Sequence, residues 1–394
     1  MNKKTQSAIR VLHLFSNSKW TGPAEPVVNL CRALRDRGVC VDFACAPVAG
    51  SGYNKVLAMA RSHGMEPLDF LYLSKHRKPF KNWMDVRKLR RHLKTTAYDL
   101  IHCHLDNDTW IALRACAGMA LPVVRSSYEG PGFPDDRRHR FFMRKCAALI
   151  EPSQAALRAD VSSFPVMPEH LHVIDTAVDT ERFDPGRSLP DLRRTLGIPT
   201  NAFVFGIVAR IQAHRHYEDL FEAFVAIAEN FRDARLMIVG RGTRQEQLAI
   251  RPVRALGLEN RVHFTGYLDG DDYAGVLAAM DAGMFLTPGT DGTCRAVREM
   301  MSMGKPMITS NRGMLPEMVT AGADGIVTDG SARQLRDAMR LFYENADLRR
   351  RYGIAARETA RTRFTMDRYA GAVLEIYLNI LHDPSRTASL NENP

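Results

Sequence analysis

Two acidic residues, Asp291 and Glu299, are the side chains of this 394-residue chain whose spacing best suits chemistry. They stand eight positions apart, across the junction between a loop and a predicted helix. The apolar run before them, residues 282–286, predicts a buried strand. Open α/β sheets hold ligands at the carboxyl ends of their strands, and the N–H groups at a helix start suit a phosphate or a sugar hydroxyl. The pattern therefore predicts a site for a polyhydroxylated or anionic ligand.

The same two acids also have a purely structural interpretation. Asp291 can accept N–H bonds at a helix start, and Glu299 can pair with Arg295 one helical turn before it. Only agreement with other segments of the chain decides between the two interpretations.

A second segment supplies positive charge. Residues 203–208 predict an apolar strand that delivers Arg210 at its carboxyl end, and Arg215 follows five positions later. Two guanidinium groups here can neutralise a diphosphate leaving group, on which negative charge grows as a glycosidic bond breaks. The alternative is that both arginines are simply exposed in a loop beside His214 and His216.

Taken together, these segments resemble glycosyltransferase family 4, retaining enzymes with the GT-B fold. The acids match its E-x7-E signature, with Asp291 in place of the first Glu. Residues 210–215 resemble its G-R-L-x-x-x-K-G segment, with Arg215 where Lys is usual. Further segments follow the family's order, namely 99–104, 173–185, 236–242 and 261–266. Because this order covers most of residues 9–330, the chain is identified as a member of the family.

The resemblance implies a role for each site residue. Arg210 and Arg215 would bind the donor diphosphate, Glu299 the nucleotide ribose, and Asp291 the hydroxyls of the donor sugar. The residues expected to carry catalysis are Arg210, Arg215, Asp291 and Glu299. The residues expected to bind the donor are Gly22, Gly292, Thr293, Cys294, Arg295 and Tyr128.

Three positions depart from the family pattern. Gly22-Pro23 stands where relatives often carry Gly-Gly, and proline removes one N–H donor from that loop. Tyr128 stands where many relatives have His, and a phenol is the poorer base near neutral pH. Cys294 replaces a family Gly, which narrows the space beside the donor sugar. A retaining enzyme of this type does not need a strong protein base, because the leaving phosphate can take the acceptor proton.

The function implied by the resemblance is glycosyl transfer (EC 2.4) from a nucleotide-diphosphate sugar to a saccharide or lipid-linked acceptor, with retention of configuration. Synthesis of surface polysaccharide, lipopolysaccharide or glycolipid is the family's common theme. The alternatives are a GT-B sugar-nucleotide epimerase or hydrolase, and a non-catalytic sugar-nucleotide-binding protein. No cofactor and no essential divalent metal are expected. His102 and His104 would share one strand face, but no second ligand cluster accompanies them, which favours a structural role.

The elements that position these residues follow from regular alternation. Twelve short apolar runs alternate with helical patterns between residues 10 and 327, which predicts α/β architecture with parallel sheets. Residues 183–190 are polar and rich in turn formers, and they mark a domain boundary. We predict a GT-B fold of two Rossmann-like domains facing across a cleft, an acceptor domain (1–185) and a nucleotide-sugar domain (195–362). A last helix, 366–383, is placed as packing back on the first domain.

Charge is concentrated in one segment. The chain has a formal charge of +10, and residues 75–94 carry nine Lys or Arg against one Asp. Helical spacing of apolar residues from Trp83 onward predicts an amphipathic helix with a basic outer face. We expect it to contact anionic lipid headgroups, with a solvated basic face as the alternative; no nucleic-acid signature accompanies it. The expected location is the cytoplasm, with peripheral attachment to the inner face of the membrane left open.

Overall fold

The computed structural model describes residues 9–47, 53–166, 168–289 and 293–383. The chain forms two compact units. The first unit contains the chain up to Thr176 and the chain from Met366 onward, and the second contains Ala177–Thr365. For comparison, the sequence placed the two domains at residues 1–185 and 195–362.

The first unit is built on a six-stranded parallel sheet in the order β2-β1-β3-β4-β5-β6. Every residue of β1 after Arg10 is buried, as expected for a parallel strand that is covered on both faces. The strands are β1 (Arg10–Phe15), β2 (Cys40–Cys45), β3 (Leu100–Cys103), β4 (Val123–Ser126), β5 (Ala148–Glu151) and β6 (Leu171–Val173).

Alternation along these strands separates two helix layers. Leu12, Leu14 and Ile101 pack with α3, α4 and α5, whereas Phe15 and Phe43 pack with α1 and α2. Helix α15 packs against α1. The helices of this unit are α1 (Ala24–Asp36), α2 (Lys55–Ser62), α3 (Pro79–Thr95), α4 (Asp106–Ala115), α5 (Arg137–Lys145), α6 (Gln154–Ser163) and α15 (Met366–His382).

The second unit repeats the plan with a six-stranded parallel sheet in the order β12-β11-β10-β7-β8-β9. Its strands are β7 (Phe203–Val208), β8 (Ala234–Val239), β9 (Val262–Gly266), β10 (Ala282–Phe285), β11 (Met307–Ser310) and β12 (Gly325–Thr328). Its helices are α7 (Leu192–Thr195), α8 (Tyr217–Asn230), α9 (Arg251–Ala255), α10 (Gly270–Ala278), α11 (Arg295–Ser302), α12 (Leu315–Met318), α13 (Ala332–Glu344) and α14 (Ala346–Arg363).

Methionine side chains fill one layer of the second unit's core. A Cβ added to Gly283 on β10 would lie 2.7 Å from Met307 Sδ and 2.8 Å from Met300 Sδ. Glycine in this strand therefore leaves room for two thioethers that pack directly on the backbone. Both methionines are fully buried.

Candidate active site

The carboxyl edge of the second sheet gathers most of the charged residues that the sequence singled out. Strands β7 and β10 are parallel neighbours, so the segments that follow them meet at one edge. Arg210 and Arg215 follow β7, and Thr287 follows β10. Helix α11 starts from the loop after Thr287 and carries Glu299.

Arg210 is exposed two residues beyond the end of β7. The backbone there runs beside the turn after β8, where Ile211 N donates to Arg241 O at 3.4 Å. A Cβ on Gly242 would lie 1.9 Å from Ile211 O, so this glycine permits the close approach of the two backbones. Within the part of the chain that the structure describes, no carboxylate pairs with Arg210. Its guanidinium can therefore meet an anionic ligand.

Arg215 is held more tightly than Arg210. It ends a 3-10 turn, Ala213–Arg215, and is 8% exposed. Its Nη1 donates to the carbonyl oxygen of Thr287, and its guanidinium lies over the Phe285 ring, 5.6 Å from the centroid. Part of its hydrogen-bonding capacity is thus used to join the turn after β7 to the loop after β10.

Glu299 is 1% exposed, and both of its carboxylate oxygens have partners. Arg295 Nε lies 2.9 Å from Oε1, and the Tyr273 hydroxyl donates to Oε2. The ion pair is the one that the structural interpretation of the spacing expects. Tyr273 comes from α10, and sequence reasoning missed it because its only signal was an apolar position on a helix. The two partners fix the orientation of the carboxylate.

Cys294, which precedes α11, has φ 43° and ψ 38°, in the left-handed region. A residue with a Cβ is disfavoured there by about 1–2 kcal/mol, which accounts physically for the family's glycine at this position. Thr293 beside it is buried, and its carbonyl oxygen accepts a hydrogen bond from Arg298. The predicted Asp291 and Gly292 lie outside the described residues.

The predicted donor-binding residues of the first unit have different surroundings. Gly22 lies in the turn between β1 and α1, where Ala24 N donates to Thr21 O at 2.9 Å. Tyr128 follows β4 and is 3% exposed. Its hydroxyl lies 3.1 Å from His104 Nδ1, and burial raises the pKa of the phenol well above its usual value. The Tyr128 hydroxyl is therefore engaged inside the first unit.

Three buried imidazoles, His13, His102 and His104, form a histidine cluster in the first unit. His13 Nδ1 lies 3.0 Å from His104 Nε2, and His102 Nε2 lies 2.8 Å from Ser126 Oγ. The Tyr377 hydroxyl on α15 contacts His102 Nδ1 and lies 3.4 Å from His13 Nε2. Burial lowers the pKa of His13 to about 3, and it lowers the pKa values of His102 and His104 well below the usual range.

A metal ion is one possible ligand of these imidazoles, because three His nitrogens this close are a ligand set that Zn²⁺ accepts. The same nitrogens already serve one another and three hydroxyl groups as hydrogen-bond partners. A second group of possible ligands, His216, Glu218 and Asp219, lies at the start of α8. The hydrogen bonds of the cluster are sufficient to explain its burial as neutral imidazole.

Comparison with known proteins gives consistent matches. Residues 21–182 match the model of Glycosyltransferase Family 4, and residues 190–359 match that of Glycosyl transferases group 1. The D-inositol 3-phosphate glycosyltransferase of Corynebacterium glutamicum (strain R) is 26% identical over 288 residues, 67% of this chain and 68% of that protein. The UDP-Gal:alpha-D-GlcNAc-diphosphoundecaprenol alpha-1,3-galactosyltransferase of Escherichia coli is 29% identical over 249 residues, 59% of this chain and 62% of that protein.

A solved structure extends the likeness along the chain. The crystal structure of Anabaena Alr3699/HepE in complex with UDP has a TM-score of 0.78 at 20% identity, covering 94% of this chain and 100% of that one.

Proposed function

Since this chain is a glycosyltransferase of the family 4 type with the GT-B fold, we propose that it moves a sugar from a nucleotide-diphosphate sugar to an acceptor with retention of configuration. The observation that carries the proposal is the carboxyl edge of the second sheet. An exposed Arg210, a partly engaged Arg215 and an oriented Glu299 follow two neighbouring strands there.

The donor is proposed to bind along this edge. Arg210 would face the diphosphate directly, and Arg215 would add charge while holding the loop at Thr287. Glu299 would accept hydrogen bonds from the nucleotide ribose, with its carboxylate oriented by Arg295 and Tyr273. Support comes from Anabaena Alr3699/HepE, which has been solved with UDP and, at a TM-score of 0.74 and 21% identity, with UDP-glucose.

The start of the loop to α11 would hold the sugar itself. Asp291 is proposed to bind hydroxyls of the donor sugar, and the N–H groups of residues 292–294 to anchor the sugar or a phosphate. The left-handed conformation of Cys294 turns the chain into α11 at this point. Gly22 and Tyr128 are proposed as donor contacts from the first unit, and burial of the Tyr128 hydroxyl makes it the weaker of the two.

Transfer would then proceed without a strong protein base. The bond between the sugar C1 and the phosphate oxygen breaks, and the acceptor oxygen bonds to C1 on the same face. The acceptor proton passes to the departing diphosphate oxygen, whose growing charge Arg210 stabilises. The proposal includes no cofactor and no essential divalent ion, so transfer should persist in EDTA.

The acceptor is proposed to be a saccharide or a lipid-linked saccharide in the synthesis of surface polysaccharide, lipopolysaccharide or glycolipid. The E. coli relative, whose name gives a diphosphoundecaprenol-linked acceptor, supports the lipid-linked case. Within the described residues, no helix is long and apolar enough to cross a bilayer. We also propose a cytoplasmic location with peripheral attachment through the basic residues 75–94 to an anionic membrane, and not to nucleic acid.

The test begins with the donor. A panel of nucleotide sugars should contain one that raises the melting temperature, because a ligand bound to the native state stabilises it. That donor is then supplied with candidate acceptors, and the anomeric configuration of the product is read by NMR. A product with inverted configuration would overturn retention. Release of free or rearranged sugar, with no transfer to any acceptor, would favour a hydrolase or an epimerase.

A further inference from the structure

We propose that the outer face of the layer formed by α3, α4 and α5, here called the basic helix layer, is one continuous surface for anionic lipid headgroups. It extends the attachment proposed above for residues 75–94 across two more helices of the first unit. The inference rests on the proposed membrane setting of the enzyme, but its test measures binding and needs no donor or acceptor.

The first part of the surface is the start of α3. Phe80 is 72% exposed and Trp83 is 53% exposed, and their rings stack with centroids 6.2 Å apart. Arg87 lies over the Trp83 ring at 4.7 Å. Two large apolar side chains this exposed on a helix, framed by cations, are typical of residues that sit at a membrane interface.

Not every cation of α3 is available to a partner. Lys88 Nζ donates to Phe70 O at 3.0 Å, and Arg90 Nη1 donates to Ala115 O and Ala117 O. These two residues hold the fold together. The exposed Lys and Arg residues of the segment, for which the described chain offers no carboxylate partner, are Lys75, Arg77, Lys78, Lys81, Arg87, Arg91 and Lys94.

The surface continues from the segment before α3 onto α4 and α5 through alternating cations and rings. Arg77 lies 5.9 Å from the centroid of the Trp110 ring of α4, and Arg114 lies 5.7 Å from the same centroid. Arg114 also lies 5.1 Å from the Phe141 ring of α5. Cation–π contacts of this length hold the cations at defined places on the surface.

Helix α5 adds further positive charge to the layer. It carries five Lys or Arg residues and no Asp or Glu. Arg138 forms an ion pair with Asp106, and Arg140 forms one with Asp135. Arg137 and Arg144 are exposed and meet no carboxylate among the described residues.

The acids of the basic helix layer cancel only part of this charge. Asp106 and Asp135 pair with Arg138 and Arg140. Asp85 on α3 and Asp108 on α4 are fully buried and accept backbone N–H groups, so they leave the outer cations unpaired. On the opposite layer of the same unit, Arg32 pairs with Asp36, and Arg37 pairs with Asp367.

The rings favour lipid over nucleic acid as the occupant. A single-strand binding protein offers bare aromatic faces on which bases stack. Here Arg87 lies over the Trp83 ring, Phe80 stacks beside it, and two arginines lie near the Trp110 ring. Aromatic rings that are paired with long cationic side chains suit headgroup phosphates and the interfacial zone instead.

The decisive variant removes charge from α4 and α5 while leaving residues 75–94 intact. Each basic residue near an anionic surface strengthens binding about fivefold. Arg114→Gln/Arg137→Gln/Arg144→Gln should therefore lower partitioning onto phosphatidylcholine–phosphatidylglycerol vesicles by about a hundredfold at low ionic strength. Arg333→Gln/Arg336→Gln/Arg340→Gln on α13 of the second unit removes the same charge and should change partitioning less than about twofold.

A second variant and two binding controls make the test more specific. Arg137→Gln/Arg144→Gln leaves the ring contacts of Arg114 untouched and should still lower partitioning by about twentyfold. Vesicles of phosphatidylcholine alone, and single-stranded RNA of matched charge, complete the comparison. Wild-type partitioning by the α4–α5 variants would restrict the surface to residues 75–94, and tighter binding to RNA than to anionic vesicles would overturn the lipid assignment. Neither result depends on whether sugar transfer has been found.

Discussion

The two units have the same architecture but fill the space over their sheets with opposite chemistry. In the first unit, the strand face that carries His13 and His102 meets the Tyr377 hydroxyl from α15. In the second unit, the space over β10 is filled by Met300 and Met307. A hydrogen-bonded interior is satisfied in one arrangement only, whereas thioethers adapt to several. The packing over the first sheet therefore requires particular hydrogen-bond partners, whereas the packing over the second sheet requires only apolar side chains of suitable volume.

The two units also differ in where their ionisable side chains lie. In the first unit, the histidine cluster is buried away from the surface and is neutral because burial lowers its pKa values. In the second unit, Arg210 is exposed at the sheet edge. The second unit should thus carry the donor chemistry, while the first unit's buried titratable groups should govern stability.

The largest effect is expected at the second unit's edge. Arg210→Ala should lower kcat/KM for transfer by about a hundredfold or more, since a charged contact to the transition state is lost. Arg32→Ala, an exposed arginine of the first unit, should leave it nearly unchanged. Steady-state kinetics with the identified donor measures both, and circular dichroism checks the fold. Turnover of Arg210→Ala close to that of wild type would remove Arg210 from the site.

The next effect concerns stability of the first unit. His102→Leu leaves the Ser126 and Tyr377 hydroxyl groups without their buried partner, which should cost about 3 kcal/mol of unfolding free energy. Met300→Leu in the second unit conserves volume and should cost less than about 1.5 kcal/mol. Urea unfolding gives both values.

Fluorescence makes this comparison specific to one unit. The three tryptophans, Trp20, Trp83 and Trp110, all belong to the first unit, so their emission reports on it alone. If His102→Leu unfolded at the wild-type urea concentration by this signal, the hydrogen bonds of the cluster would contribute little to stability.

A smaller effect should appear on acidification. The unfolded imidazole titrates near pH 6.5, whereas burial lowers the pKa of His13 to about 3. Below pH 6.5 the unfolded chain binds more protons, so the contribution of neutral His13 is complete above that pH and is lost as the pH falls toward 3. Between pH 6.5 and 5, wild type should lose about 2 kcal/mol relative to His13→Leu.

The comparison with the variant is needed because a neighbour acts in the opposite sense. Burial raises the pKa of Asp108 to about 6, so its protonation on acidification stabilises the folded state. Both proteins share Asp108, and the difference between their pH profiles isolates the imidazole. Parallel profiles would show that His13 is protonated in the folded protein.

The smallest effect is expected where the second unit is most adaptable. Gly283→Ala introduces a Cβ within 3 Å of two sulfur atoms, but both belong to flexible side chains. The expected cost is about 1 kcal/mol, at the low end of the range for overpacking. Thermal unfolding measures it. A loss comparable to that of His102→Leu would mean that the methionine layer is as rigid as the histidine cluster.

Much of the fold could be predicted from the sequence. Twelve predicted apolar runs correspond to the twelve strands of the described chain, because parallel strands covered on both faces are short and apolar. Strand ends differ slightly from the prediction, as at β10, which ends at Phe285 whereas the predicted strand runs to residue 286. The predicted GT-B fold and the glycosyltransferase class are confirmed by the two sheets and the comparisons.

The site was predicted less completely, for a physical reason. A motif fixes where a residue stands along the chain, but not which side chain it meets. The pairing of Glu299 with Tyr273 joins residues 26 positions apart, and no periodicity records such a contact. Likewise, the sequence predicts Tyr128 as a donor-binding residue, but it carries no sign that the Tyr128 hydroxyl lies beside His104. The roles of the predicted donor-binding residues stay predictions.

The return of α15 to the first unit has a consequence for synthesis of the protein. The Tyr377 hydroxyl reaches His102 across 275 positions, and the whole second unit lies between them. On the ribosome, the second unit can complete its sheet while the first unit, which is made earlier, still lacks α15. Its imidazoles then lack their Tyr377 partner until α15 emerges, so the first unit completes its fold after the second.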